Sequence, residues 1–144
     1  MEELISALRR ALADSFVLYF KAHAYHWNVE GINFPQYHDF FAELYQEIHA
    51  AIDPMAEQIR TLDAYAPRAL REILNESMIE EEMLQPDLSM MISTLMTDND
   101  KVLASLMYAY KMAEEQTELG ASNFLQDRIQ AHQKHAWMLR AASK

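Results

Sequence analysis

Six histidines carry most of the metal-binding chemistry open to this 144-residue chain. They fall into two groups, His23, His26, His38 and His49 in the first third and His132 with His135 near the end. A neutral imidazole is a good donor to a first-row divalent ion, and the first group is followed by two carboxylates, Asp53 and Glu57. On one continuous helix His38, Ala42, His49, Asp53 and Glu57 fall within an arc of about 100°, because about 3.6 residues complete a turn. Ligand-type residues therefore share a stripe. His26 and His38 flank a turn near Ile32 at equal distance, so antiparallel packing of the two flanking segments sets two imidazoles at the same height.

One chain cannot close such a site. Positions 38 and 53 are separated by about 22 Å of helix at about 1.5 Å per residue, whereas the ligands of one ion converge within about 2–2.5 Å of it. Two copies packed antiparallel about a two-fold axis near Tyr45-Gln46 resolve this, since His38 of one then faces Asp53 of the other, and an isologous dimer creates two identical sites. Imidazole and carboxylate donors with open positions suit an iron-like ion better than zinc in a closed structural site. A single histidine or aspartate on a helix face is more often a satisfied or solvated side chain, so the stripe alone does not decide the matter.

The elements that must hold these residues are helices. Two glycines and four prolines leave few places to break the chain. Apolar residues at three- and four-residue steps run from Glu2 to about Glu30, where Gly31 ends the run, and again from an Asn33 cap, with Pro35 in the first turn, to about Leu62. A short helix is predicted over Pro67–Leu74, a glutamate-rich connection over Glu76–Glu82, and two further helices from Pro86-Asp87 to about Gln116 and from Gly120 to Ala142. The prediction is an all-α, single-domain chain over residues 1–144, a four-helix bundle with a short extra helix in the long connection between its second and third long helices. That long connection frees the bundle from simple up-down-up-down order. The ten methionines, Met90, Met91, Met96, Met107 and Met112 among them, are expected to fill core gaps.

Composition narrows the function. A chain that is 51% hydrophobic and 24% charged has the balance of a globular domain. Without cysteine it has no disulfide, thiolate metal site or cysteine nucleophile. A net charge of −10 attracts cations and repels polyanions. Only Arg9-Arg10 and the sparse set Arg128, Lys134, Arg140 and Lys144 offer a basic patch, and these are expected on solvated helix faces. The Met1-Glu2-Glu3-Leu4 start lacks the features of a secretory leader and no apolar run suggests a membrane span, so a cytoplasmic location is expected.

A more specific signal is the string His26-Trp27-Asn28-Val29-Glu30-Gly31, followed by Phe34, His38, Asp53 and Met55-Ala56-Glu57-Gln58-Ile59-Arg60. It resembles the Dps family of mini-ferritins, whose pattern is H-W-N-V-x-G, a second histidine twelve residues on, and D-x-x-A-E-R farther along the same helix. The ending around Arg128, His132 and Lys134-His135-Ala136-Trp137-Met138-Leu139-Arg140 is also similar to the family's last helix. The resemblance implies a ferritin-like bundle assembled from two-fold dimers into a hollow shell of twelve subunits. It implies oxidation of Fe(II), usually by hydrogen peroxide, and storage of the ferric mineral inside; some members also bind DNA. By position, His26 and His38 come from one subunit and Asp53 with Glu57 from its two-fold partner, and Trp27 matches the tryptophan beside the family's iron site.

Two departures stand out. The family has an acid four residues after the second histidine, and this chain has Ala42. The two-fold that pairs 38 with 53 also pairs 42 with 49, so His49 of the partner either replaces the missing carboxylate or serves as an interface hydrogen-bonding residue. Glu43 and Glu47 are weaker substitutes, displaced by about 100° around the helix from Ala42 and from Gln46 respectively. The second departure is Pro54, directly after Asp53, which predicts a kink or bulge. Neutral imidazole donors predict activity that falls as pH drops below the histidine range, and a histidine in place of an acid predicts one tighter and one weaker iron position. Asp127, Asn123 and Glu118 are either lining residues of the pores that Dps-like shells form at three-fold axes or ordinary solvated residues; His132 and His135 are expected in packing or at the surface. The competing readings are a DNA-compacting protein, which the acidic balance opposes, and an assembled shell whose metal site Ala42 has impaired.

Overall fold

The structure is a computed structural model that describes all residues from Met1 to Lys144. Six helices follow in order: α1 (Glu2–Asn28), α2 (Phe34–Ala50), α3 (Ile52–Thr61), α4 (Leu70–Glu76), α5 (Leu88–Glu115) and α6 (Leu119–Ser143). α1 buries Leu4, Leu8, Ala11, Leu18, Ala22 and Tyr25 on one stripe. It stops where Val29 turns extended and Gly31 takes a φ of +123°, a left-handed value open to glycine because it has no Cβ. Asp87 caps α5 by accepting from the Met90 N–H at 2.9 Å.

Two helix ends lack the glycine that would announce them. Asp63 (φ 60°) after α3 and Thr117 (φ 57°) after α5 adopt the left-handed conformation instead. Both are held there by paired closing bonds: Ala64 N–H to the Ile59 carbonyl (3.3 Å) with Asp63 N–H to Arg60 (3.0 Å), and Glu118 N–H to Ala113 (2.9 Å) with Thr117 N–H to Glu114 (3.1 Å).

α1 packs against α2 and α5, and α5 against α6, with α4 lying across α1. The cross-links Lys21–Asp98 and Asp14–Ser105 make α1 and α5 antiparallel. Since α1 and α2 are joined by a tight turn, α2 and α5 run parallel, and the connection between them spans the bundle's length. Buried polar groups fix this crossover. The fully buried Asp14 accepts from Ser77 Oγ (2.8 Å), the Met78 N–H (2.7 Å) and Ser105 Oγ. Lys21 and Asp98, both buried, pair at 2.6 Å.

Several details differ from the sequence expectation. The predicted second helix is two, α2 and α3, broken at Ala51, whose N–H turns back to the Ile48 carbonyl at 3.1 Å. Pro54 has no N–H to satisfy the Ala50 carbonyl four residues before it, which is the expected kink. The short helix begins at Leu70 rather than Pro67 because Ala69 is extended, and it continues to Glu76, whose carboxylate receives Arg9 at 2.8 and 3.0 Å. Met91 and Met112 are buried, but Met90 and Met107 are more than half exposed. The basic residues are not uniformly solvated: Arg128 and Lys21 are buried, and Arg9 is tied to Glu72 and Glu76. No helix is long and apolar enough to cross a membrane.

Candidate metal centre

His26 lies in the last turn of α1, where backbone carbonyls lack intrahelical donors, and His38 lies early in α2. The turn between them brings the two rings together with centroids 3.8 Å apart and planes 16° from parallel. The hydrogen bonding is reciprocal. His26 Nδ1–H donates to the His38 carbonyl at 2.6 Å, and His38 Nδ1–H donates to the His26 carbonyl at 2.7 Å. A carbonyl oxygen only accepts, so each Nδ1 must carry a proton, and in the neutral ring it is Nε2 that keeps the lone pair. The backbone thereby sets both imidazoles in the tautomer that a metal requires.

An aromatic cluster surrounds the pair. His23 stacks on Tyr45 at 3.8 Å with planes 7° apart, lies 4.0 Å from Trp27 and 6.1 Å from His26, and shares a 3.0 Å hydrogen bond with Tyr19. Burial lowers the His23 pKa, and the neighbouring His26 and His49 lower it further. Sequence reasoning counted His23 but gave it and Tyr45 no place in the site. The available signal was spacing, because Tyr19, His23 and Trp27 follow one another at four-residue steps along one face.

The structure does not bring the other expected residues to this pair. Asp53 and Glu57 are exposed on α3, and no group of three or more His, Asp or Glu side chains converges within the chain. His49 is exposed and lies 4.6 Å from Tyr19 of its own subunit. Position 42 is a half-buried alanine. Glu43 is exposed.

Glu47 is engaged elsewhere. It accepts from Arg128 at 2.6 and 3.0 Å and pairs with His135 at 2.6 Å. Burial alone would raise its pKa, but the bonds from His135 and Arg128 and their charges hold it far below the usual carboxylate range. Behind it, Arg128 approaches His132 Nε2 at 3.2 Å, and His132 Nδ1–H donates to Asn99 Oδ1 at 2.7 Å. His132 is fully buried, and desolvation, with His135 and Arg128 nearby, puts its pKa well below the ordinary value. His132 and His135 are therefore packing residues, as expected, in a polar network that ties α2 to α6 through α5. At the start of α6, Glu118 is the N-cap residue, while Asn123 and Asp127 are exposed.

Residues 5–143 match the Ferritin-like domain family. The DNA protection during starvation protein of Brevibacillus brevis is 34% identical over 98% of this chain and 95% of its own length. A Dps protein from Vibrio cholerae O1, described as a member of a superfamily of ferritin-like diiron-carboxylate proteins, superposes with a TM-score of 0.94 at 30% identity, covering 99% of this chain and 90% of its own. A Dps protein from Bacillus brevis superposes with a TM-score of 0.93 at 31% identity, over 98% of this chain and 95% of its own. The chain belongs to the Dps branch of the ferritin-like family.

Proposed function

We propose that this chain, acting as a single domain over residues 1–144, is an iron-oxidising mini-ferritin that works in the cytoplasm and protects against oxidative damage. Its substrates are Fe(II) and hydrogen peroxide. Two-fold dimers build a hollow shell, a dodecamer, in which the ferric mineral is stored. The observation that carries the reading is the His26–His38 pair, whose two Nε2 lone pairs are freed together while every carboxylate partner expected of them is exposed on the same chain.

In this reading His26 and His38 hold Fe(II) from one subunit, and Asp53 and Glu57 reach it from the other. The carboxylates supply the negative charge that favours the ferric product. Two Fe(II) each give up one electron, and one hydrogen peroxide takes both electrons with two protons to leave two waters. His49, facing position 42 across the two-fold, is the candidate donor to the second iron. It requires its ring to leave Tyr19 or to bind from where it lies against it. A histidine there brings no charge, so the second position binds more weakly than the first.

The test is oxidation of Fe(II) by hydrogen peroxide under anaerobic conditions, followed by ferric absorbance. Fast oxidation that an Asp53→Ala/Glu57→Ala variant loses, with assembly retained, is the expected result. A rate no higher than that without protein refutes the ferroxidase and leaves a shell with an impaired site.

A further inference from the structure

The link between α3 and α4 carries a feature that iron chemistry does not use. Residues 60 to 71 hold three arginines and one acid, Asp63, in a chain whose net charge is −10. Two of those arginines share one aromatic ring. The Arg60 guanidinium carbon lies 4.8 Å from the Tyr65 ring centroid and that of Arg68 lies 5.6 Å from it, with Tyr65 68% exposed. Arg9 arrives from α1 and donates to the Tyr65 carbonyl at 2.6 Å, which fixes the backbone beneath the ring.

The charges there are unevenly compensated. Arg9 is neutralised by Glu76 and Glu72. Arg68 has only the edge of that cluster, Glu72 at 3.9 Å, and is itself largely exposed. Arg60 spends one donor on the Ala64 carbonyl at 2.8 Å and makes no ion pair. Two like charges held on one ring repel each other unless an anion sits between them. Contact with one ring restricts both guanidiniums, so part of the ordering cost of gripping an anion is already met. A tetrahedral phosphate, with three or four acceptor oxygens, satisfies two guanidinium forks at once, which a carboxylate with two oxygens does less well.

We propose that Arg60, Tyr65 and Arg68 form a phosphate clamp, with Arg9 holding its floor. The phosphate comes either free in solution or as the diester of a nucleic acid backbone. This site is independent of the iron reading, because it shares no residue with His26, His38, Asp53 or Glu57.

Calorimetric titration of the assembled protein with inorganic phosphate tests it, alongside anisotropy of a labelled single-stranded oligonucleotide at low salt. Saturable phosphate binding is expected, weakened about tenfold or more by Arg60→Ala/Arg68→Ala and about threefold by Tyr65→Leu, which keeps both charges but removes the stack. Arg10→Ala, a change outside the clamp, leaves it unchanged. Oligonucleotide binding that follows the same order of variants assigns the diester as source; phosphate binding without it assigns the free anion. Absence of saturable phosphate binding overturns the proposal, as does full affinity in Tyr65→Leu or an equal loss in Arg10→Ala.

Discussion

Removing the Glu47 carboxylate while keeping its shape, as in Glu47→Gln, tests how α2 is fastened to the bundle. The seam between α2 and α6 is bridged by Glu47, which receives two bonds from a buried Arg128 and one from His135. The variant leaves Arg128 charged and buried, with its Nε already lacking a partner. Breaking a buried pair costs about 3–5 kcal/mol, and because the Glu47 side chain is 39% exposed, solvent screening reduces this to about 2–3 kcal/mol. For a chain of this size that is about 6–9 °C in melting temperature, compared at equal subunit concentration. The pH dependence carries the sharper test. The folded pKa of Glu47 lies below its unfolded value near 4.5, so its contribution is complete above that pH and is lost as pH falls toward the folded value. Melts followed by circular dichroism should show a constant gap between wild type and variant from pH 8 to about pH 5, and a shrinking gap below about pH 4.5. A loss under about 1 kcal/mol at neutral pH, or a gap that does not shrink in acid, refutes the role of Glu47 in fastening α2 to α6.

The buried His132 titrates in a different window. Its folded pKa is lowered, so the unfolded chain takes up a proton that the folded chain refuses, and stability should decline as pH falls below about 6.5; His132→Asn should flatten that part of a urea-denaturation profile. Asp98→Ala, which strands Lys21 in the core, should cost about 3–5 kcal/mol by chemical denaturation, whereas Lys21→Met/Asp98→Leu should recover most of it. Anaerobic Fe(II) titration of His49→Ala should remove the weaker of two binding phases and keep the tighter one; two unchanged phases would dismiss His49 as a ligand. Phe34→Ala, removing the ring 4.9 Å from His38, should slow oxidation without loss of fold, measured by initial rate at saturating peroxide.

How much of this was legible in the sequence depends on what each feature rests on. The four long helices follow from apolar spacing, and the meeting of His26 with His38 follows from their equal distance to one turn. Reciprocal Nδ1–carbonyl bonding was not legible, because it depends on ring orientation at the end of α1 rather than on residue type. The ends of α3 and α5 fall within a residue of the expected Leu62 and Gln116, but how they end was not legible, because Asp63 and Thr117 do the work usually left to glycine, their left-handed backbone supported by paired closing bonds. Arg128 was read as solvated because arginine usually is; its burial is explained by Glu47, which reaches it from α2, and by His132 one turn farther along α6. The basic pairing around Tyr65 was missed because its members are separated along the chain and meet only where α3 and α4 are joined.

The break at Ala51 bears most directly on the candidate centre. The stripe from His38 to Glu57 was drawn on one continuous helix, but His38 and His49 belong to α2, while Asp53 and Glu57 belong to α3. Ala51 closes onto Ile48 by a three-residue turn, and such a turn advances each residue by about 120° instead of about 100°. The carboxylates are thus rotated relative to the histidines by a local change in winding just before Pro54, and the proposed two-fold axis near residues 45 and 46 would pass through α2 alone. Pro54→Ala returns an N–H to the Ala50 carbonyl and allows α2 and α3 to merge. If the break aims Asp53 at the partner subunit, this variant should melt no lower than wild type yet oxidise Fe(II) several-fold more slowly. An unchanged rate in a merged helix would show that the carboxylates reach the histidines whatever the winding between them.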